Sequence, residues 1–272
     1  MITGKVLIDN VDIKSTYGAY IVDGGYDDVP AFSEMKEPEK NDWFEGNDIE
    51  VDLSSPCVES HKMSFKFMMK GTMNMLQSFV DFIMSKRIHT IEMVDIERTR
   101  TLRVLEVAAS NISSICNIKV GMCDDDPRGG LDYVEQSSSQ RPVGLSIDGV
   151  DVSNYGCLLT GSIDGLFPDI QMKENKLEES DYMDGQDHSN VSGIYVERGD
   201  IRVRMIMRVA DKTGFWKKRD ALFLSLIKEG ERTISWNGRD TKVYYKSCNS
   251  IDFDYSNRCW WEFELIFGCI GE

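Results

Sequence analysis

Ile8-Asp9-Asn10-Val11-Asp12-Ile13, followed by Tyr17-Gly18, returns later as Ile147-Asp148-Gly149-Val150-Asp151-Val152, followed by Tyr155-Gly156. The displacement is 139 positions at the start of the motif and 138 at its end. Asp42-Trp43-Phe44-Glu45-Gly46 matches Asp181-Tyr182-Met183-Asp184-Gly185, again 139 apart. Met63, Phe65, Phe67 and Met69 alternate with polar residues, and Ile201, Val203, Met205 and Met207 repeat the pattern 138 positions on. On the opposite face Lys66 falls on Arg204, Lys70 on Arg208 and the apolar exception Met68 on Ile206. Period-2 alternation reads as β-strand, and self-similarity at a fixed offset marks a repeated architecture. The chain reads as a tandem duplication.

Between the copies, Asp124-Asp125-Asp126-Pro127-Arg128-Gly129-Gly130 and Ser137-Ser138-Ser139-Gln140-Arg141-Pro142 have linker composition. The Asp triplet is read as solvated linker rather than a cation site. This places a first copy at 1–123, a linker at 124–142 and a second copy at 143–272. In the first copy the pattern predicts a strand over Lys5–Ile13, a second over Tyr17–Val22, a long acidic loop, and strands near Ile49–Leu53 and Lys62–Lys70. A helix follows, N-capped by Thr72 and burying Met73, Leu76, Val80 and Ile83. The copy closes with a hairpin (His89–Val94 and Thr101–Val107) and a strand through Cys116, Ile118, Val120 and Met122. In the second copy the helix is expected near Thr213 to Lys228, and Asn237-Gly238 signals a hairpin turn. Trp261, Phe263, Leu265 and Phe267 alternate with Glu262 and Glu264 in the last strand. The expected fold class is mainly β, of α+β type: two copies of an antiparallel β-sandwich or open barrel, each with one helix.

Of 272 residues, 31 are Lys or Arg and 46 are Asp or Glu, a formal net charge of −15. That balance excludes a phosphate-gripping nucleic-acid binder and a polybasic membrane-surface protein. The charge is localised. The segment 24–48 holds eight acids, Asp27, Asp28, Glu34, Glu37, Glu39, Asp42, Glu45 and Asp48, against Lys36 and Lys40. The segment 161–193 holds eight more, Asp164, Asp169, Glu174, Glu178, Glu179, Asp181, Asp184 and Asp187, against Lys173 and Lys176. Each is thus −6, and together they carry −12 of the −15. Loops this long in a compact domain are usually functional or linkers. Both also contain residues of buried type: Pro30, Phe32, Met35, Trp43 and Phe44 in one, Leu166, Phe167, Pro168, Met172 and Tyr182 in the other. They are expected to dock, most simply on a neighbouring subunit. The basic stripes Lys62, Lys66, Lys70 and Arg202, Arg204, Arg208 offer a matching sign, or form the solvent face of two amphipathic strands.

Catalytic motifs are missing. No G-x-S-x-G elbow, P-loop, G-x-G-x-x-G or H-E-x-x-H occurs, so no enzymatic role is expected. Carboxylates are plentiful enough for an acid dyad, but they cluster in the repeated loops. Seven Cys without C-x-x-C and three dispersed His lack zinc-ligand spacing, and the Cys are read as buried small hydrophobes in a reducing compartment. No metal or cofactor is expected. No signal peptide and no apolar run of ~18 residues is visible, so no membrane partner is expected. Trp260-Trp261 could form a sugar-stacking platform, but adjacent strand residues face opposite ways, placing at least one in the core.

The opening Ile-Asp-Asn/Gly-Val-Asp-Ile/Val with Tyr-Gly following resembles the start of tailed-phage distal tail and tail-tube proteins. The order of strand pair, long loop, strands, helix and strands resembles the tail-tube fold, once per repeat. The usual distal tail protein carries a galectin-like second half, whereas both halves here look alike, closer to duplicated-tube tail hub proteins. The resemblance implies a non-enzymatic tail component in the virion, assembled in the bacterial host cytoplasm alongside other tail proteins. It implies a homo-oligomeric ring, of three copies with pseudo-sixfold symmetry or of six, around a channel where DNA is passing cargo. An acidic lining would keep phosphates from sticking. The acids Asp27, Asp28, Glu34, Glu37, Asp42, Asp164, Asp169, Glu178, Glu179 and Asp184 are the candidate inter-subunit or channel residues. Lys66, Lys70, Arg204 and Arg208 are the candidate basic faces. The other functional class is a carbohydrate-binding β-sandwich module.

Overall fold

The computed structural model describes residues 4–42, 49–112, 115–138, 140–164, 171–172, 196–197, 199–256 and 258–271. The first repeat runs β1 (Val6–Ile8), β2 (Val11–Asp12), α1 (Ile13–Tyr17), β3 (Ala19–Ile21), β4 (Lys40–Asp42), β5 (Ile49–Val51), β6 (His61–Lys70), α2 (Met73–Met84), β7 (Ile88–Met93), β8 (Arg98–Ile112) and β9 (Ile115–Asp124). The second runs β10 (Leu145–Ile147), β11 (Val150–Asp151), β12 (Cys157–Asp164), β13 (Gln171–Met172), β14 (Val196–Glu197), β15 (Ile201–Val209), α3 (Lys212–Leu226), β16 (Arg232–Trp236), β17 (Arg239–Asp254) and β18 (Cys259–Gly271). Two seven-stranded sheets form, ordered β2-β1-β7-β8-β9-β6-β3 and β11-β10-β16-β17-β18-β15-β12. Replacing each strand by its counterpart turns one order into the other, and the described strand pairs are antiparallel. The protein is mainly β, as expected.

Register repeats as closely as order. In β6, Met63, Phe65, Phe67 and Met69 are buried opposite Met122, Val120, Ile118 and Cys116 of β9. In β15, Ile201, Val203, Met205 and Met207 are buried opposite Phe267, Leu265, Phe263 and Trp261 of β18. A slip of one residue would turn each set to solvent, and each such side chain stabilises by ~1.5–3 kcal/mol when buried, so the register is firmly set.

The duplicated motif is not the single strand expected over Lys5–Ile13. Asp9 and Asn10 take φ of 50° and 66°, and Asp148 and Gly149 take 50° and 76°, so each copy makes a two-residue hairpin turn of the type whose twist suits antiparallel strands. The first Asp of the motif then ties the hairpin to the next strand. Asp9 accepts from Thr90 N at 3.0 Å, His89 Nδ1 at 2.8 Å and Lys86 Nζ at 3.1 Å, and Asp148 accepts from Thr233 N at 2.8 Å and Arg232 at 2.7 Å. The second Asp caps a single helical turn. Asp12 accepts from the backbone N–H of Lys14 and Ser15, and Asp151 from that of Ser153. Gly18 and Gly156 end those turns at φ of 70° and 76°, where a side chain is strained.

The helices also differ in detail from expectation. In α2 the buried residues are Leu76, Phe79 and Ile83, Val80 is half-buried, and Met73 is 59% exposed. Leu76 and Ile83 are buried as expected, and Phe79 takes the inward place expected of Val80, with the Tyr17 ring from α1 5.6 Å away and stacked at 5.4 Å on Phe82. Thr72 stands at the cap in an extended conformation, but its hydroxyl makes no capping bond. In α3 the cap is Asp211, which accepts from Gly214 N at 2.7 Å, one residue earlier than the sequence suggested. The Asn237-Gly238 turn, at φ of 53° and 78°, closes the β16–β17 hairpin as expected. Six of the seven Cys are buried and Cys57 is exposed.

Candidate functional site

The acidic segment after β3 turns at Gly25, where a Cβ would stand 2.7 Å from both Ile21 Cγ2 and Val22 O, so only glycine lets the chain turn so close to β3 and β6. The chain then leaves its own sheet and packs on the second repeat. Tyr26 meets Tyr255 edge-on at 5.4 Å. Ser250 Oγ donates to Asp27 O at 2.5 Å, Tyr245 Oη to Ser33 O at 3.0 Å and Met35 N to Lys246 O at 2.8 Å. Phe32, 2% exposed, stacks on Phe223 of α3 at 5.2 Å and meets Trp261 and Phe263 of β18 edge-on. The neighbouring subunit expected to receive Pro30, Phe32 and Met35 is thus, for this loop, the second repeat of the same chain. Trp43 and Phe44 lie outside the described residues.

A buried guanidinium holds the seam. Arg219 of α3 donates to Pro30 O at 2.9 Å and Ala31 O at 2.5 Å, pairs with Asp220 at 2.9 Å, and lies 4.7 Å over the Phe32 ring. Asp220 in turn takes Arg98 of β8 at 3.0 Å, and the Arg98 guanidinium covers Trp216 at 4.7 Å. Trp216 Nε1 donates to Ile96 O at 2.7 Å. A helix buried on nearly every side needs a second neighbour besides its own sheet. For α3 that neighbour is the first repeat.

Asp28 and Glu37 are spent locally, whereas Asp27 has further acids around it. Asp28 accepts from Ser64 N at 3.0 Å, and Glu37 pairs with Lys40 at 2.7 Å, which holds the Glu37 carboxyl below its ordinary range. Asp27 lies 3.8 Å from Lys66; burial raises its carboxyl, opposed by Lys66 and reinforced by Asp252, Asp28 and Asp23. Glu34 offers its carbonyl to Glu59 N at 2.8 Å, and Asp42 ends β4. Asp164 ends β12 with only its backbone described, and Asp169, Glu178, Glu179 and Asp184 lie outside the described residues. Of the basic faces, Lys66 and Lys70 are exposed on β6, with Lys119 of β9 directly opposite Lys66. On β15, Arg204 pairs with Glu262 of β18 at 2.6 Å and Arg202 lies 3.6 Å from Glu264, while Arg208 is exposed at the strand end. On the first face Lys66 has Lys119 and Asp27 beside it, whereas on the second Arg202 and Arg204 are paired within their own sheet.

A cleft of about 780 Å³ runs beside the seam, lined among others by Asp28, Glu34, Glu59, His61, Lys62 and Arg103. Among the described residues no three His, Cys, Asp or Glu are placed to hold a metal ion, and no helix is long and apolar enough to cross a membrane. Trp261 is fully buried, which removes it from any stacking platform, whereas Trp260 is half-buried.

His61 makes the cleft acid-sensitive. Burial pushes its imidazole down to about 4, with the Arg219 and Arg100 cations adding to the effect, although the bond of Nε2 to Asp28 O at 2.9 Å favours the charged ring. The unfolded chain takes this proton near pH 6.5, the folded chain only near 4, so stability falls as pH drops through that window, by up to about 3 kcal/mol. Asp9 behaves oppositely in origin. Burial opposes its ionisation, but the bonds from Thr90 N, His89 and Lys86 outweigh burial and hold it at about 2, so its contribution is present above pH ~4 and lost below. Urea melts at pH 7, 5 and 4 should show the first loss, and His61→Gln should flatten the curve between pH 6.5 and 4.

No family model matches the chain, and no curated protein matches it. Among solved structures it is similar to the crystal structure of the SPP1 Dit (gp 19.1) protein, described as a paradigm of the hub adsorption apparatus in phages infecting Gram-positive hosts. The two are 9% identical, with 97% of this chain and 98% of that one covered, at a TM-score of 0.36.

Proposed function

We propose that this chain is a non-enzymatic structural component of a phage or prophage tail, at the distal end of the tube or the baseplate hub, where copies close into a ring around a DNA channel. The observation that carries the reading is the heterologous seam: two copies of one sheet order joined by unlike surfaces, the loop of one on the helix of the other. Unlike surfaces pair head to tail, and such contacts generate closed rings when the rotation closes. Three chains supply six repeats, so a trimeric ring meets a sixfold tube with pseudo-sixfold symmetry. The units are the segments 1–123 and 143–272. Asp164, Asp169, Glu178, Glu179 and Asp184, which repeat the acidic segment of the first copy, face the neighbouring subunit or the channel, where negative charge lets DNA slide past. The particle is the virion tail, assembled in the host cytoplasm with other tail proteins.

Negative-stain electron microscopy and sedimentation at high protein concentration test this. Rings with a lumen are expected, of three copies. Six-copy rings would replace the trimer and keep the hub reading, and a strict monomer at every concentration would overturn it.

A further inference from the structure

The two helices differ in how they are covered. Aligning α2 on α3 from their first residues places Gln77, Asp81 and Met84 at the positions of Trp216, Asp220 and Phe223. In the second repeat those positions carry the seam: Trp216 bonds Ile96, Asp220 pairs with Arg98, and Phe223, 0% exposed, stacks on Phe32. In the first repeat Met84 is 60% exposed, and Gln77 and Asp81 are exposed on the same face.

We infer that the outer face of α2 is the docking site for a second copy of this chain, which seats its second repeat there as the first repeat seats on α3 within the chain. The inference rests on the ring reading above and gives it an interface. Its core is an ion pair. Arg98 opens the strand after the β7–β8 turn and reaches Asp220 of α3. Arg239 opens the strand after the β16–β17 turn, the same station in the second repeat. Asp81, exposed on α2 and held by Gln77 Nε2 at 2.7 Å, occupies the station of Asp220. Arg239 of one copy therefore meets Asp81 of the next. The departures between the repeats agree in size. The first-repeat turn has four residues, Val94 to Glu97, and reaches Trp216, while the second-repeat turn has only Asn237-Gly238 and faces the smaller Gln77. Met84, one turn beyond Asp81 on the same face, supplies apolar surface for such a contact to cover.

Sedimentation velocity on the full chain, with Asp81→Arg, Arg239→Asp and the double exchange, tests this. The unfolding temperatures report whether each variant stays folded. Each single reversal is expected to weaken self-association by at least about tenfold, and the double exchange to recover most of it. Association unchanged in both single variants overturns the interface and leaves the ring reading standing. Weakening without recovery in the double exchange overturns the equivalence of the two ion pairs. A wild-type chain monomeric throughout overturns the interface and the ring together.

Discussion

Replacing Phe32 with alanine is expected to lower the unfolding free energy by about 4 kcal/mol, more than any truncation on the outer sheet faces. Phe32 is 2% exposed although it sits in an acidic loop, and its ring contacts Phe223, Trp261 and Phe263 at 5.2, 5.3 and 6.0 Å. Truncation removes the transfer term of a full aromatic side chain and leaves a cavity between α3 and β18 that neither rigid element can close. Because the ring belongs to one repeat and its pocket to the other, the loss falls on the joint between them. Urea melts of Phe32→Ala beside Ile251→Ala check this, since Ile251 is 42% exposed and should change stability by less than about 0.5 kcal/mol. Equal effects would mean that the loop does not anchor the repeats.

Arg219→Met is the second large effect, expected near 3 kcal/mol. Methionine keeps much of the stem against Phe32 and Phe223 but leaves the carbonyls of Pro30 and Ala31 without donors and Asp220 with Arg98 as its remaining cation. Removing one partner of a buried pair costs the desolvation of whatever is left, so the substitution should cost far more than a surface pair would. In a double-mutant cycle with Asp220→Asn, a coupling above ~1 kcal/mol is expected. Additive losses would show that the two side chains act independently.

Much of this was legible as pattern. Met63 to Met69 and Ile201 to Met207 declared two equivalent core strands, because alternation at period 2 leaves one face for water and one for the core. The hairpin inside the motif is not expected in either copy: Asp9-Asn10 lacks glycine, and the turn signal that Asp148-Gly149 carries lies inside what otherwise reads as one strand. On α2 the spacing pointed to Val80, and the structure buries Phe79 instead, beside the Tyr17 ring. The seam residues Arg219 and Asp220 left no distinguishing trace, since Lys212, Lys217 and Lys218 of the same helix are charged as well. Their partners, Pro30 O and Arg98, are more than a hundred positions away, beyond what local spacing can indicate.

The sequence by itself determined the duplication, the mainly β class, the inward face of each long strand and the concentration of acid in two matching segments. Those follow from side-chain period and composition, which act locally. Only the tertiary structure decided what the acidic loop does with its apolar residues. It decided too that Arg204 is neutralised by Glu262 while Lys66 faces Lys119. Cross-strand partners are set by which strands become neighbours in the sheet. The docking of Phe32 and Arg219 is set by how one sheet's loop meets the other's helix, and both depend on contacts that exist only once the chain has folded back on itself.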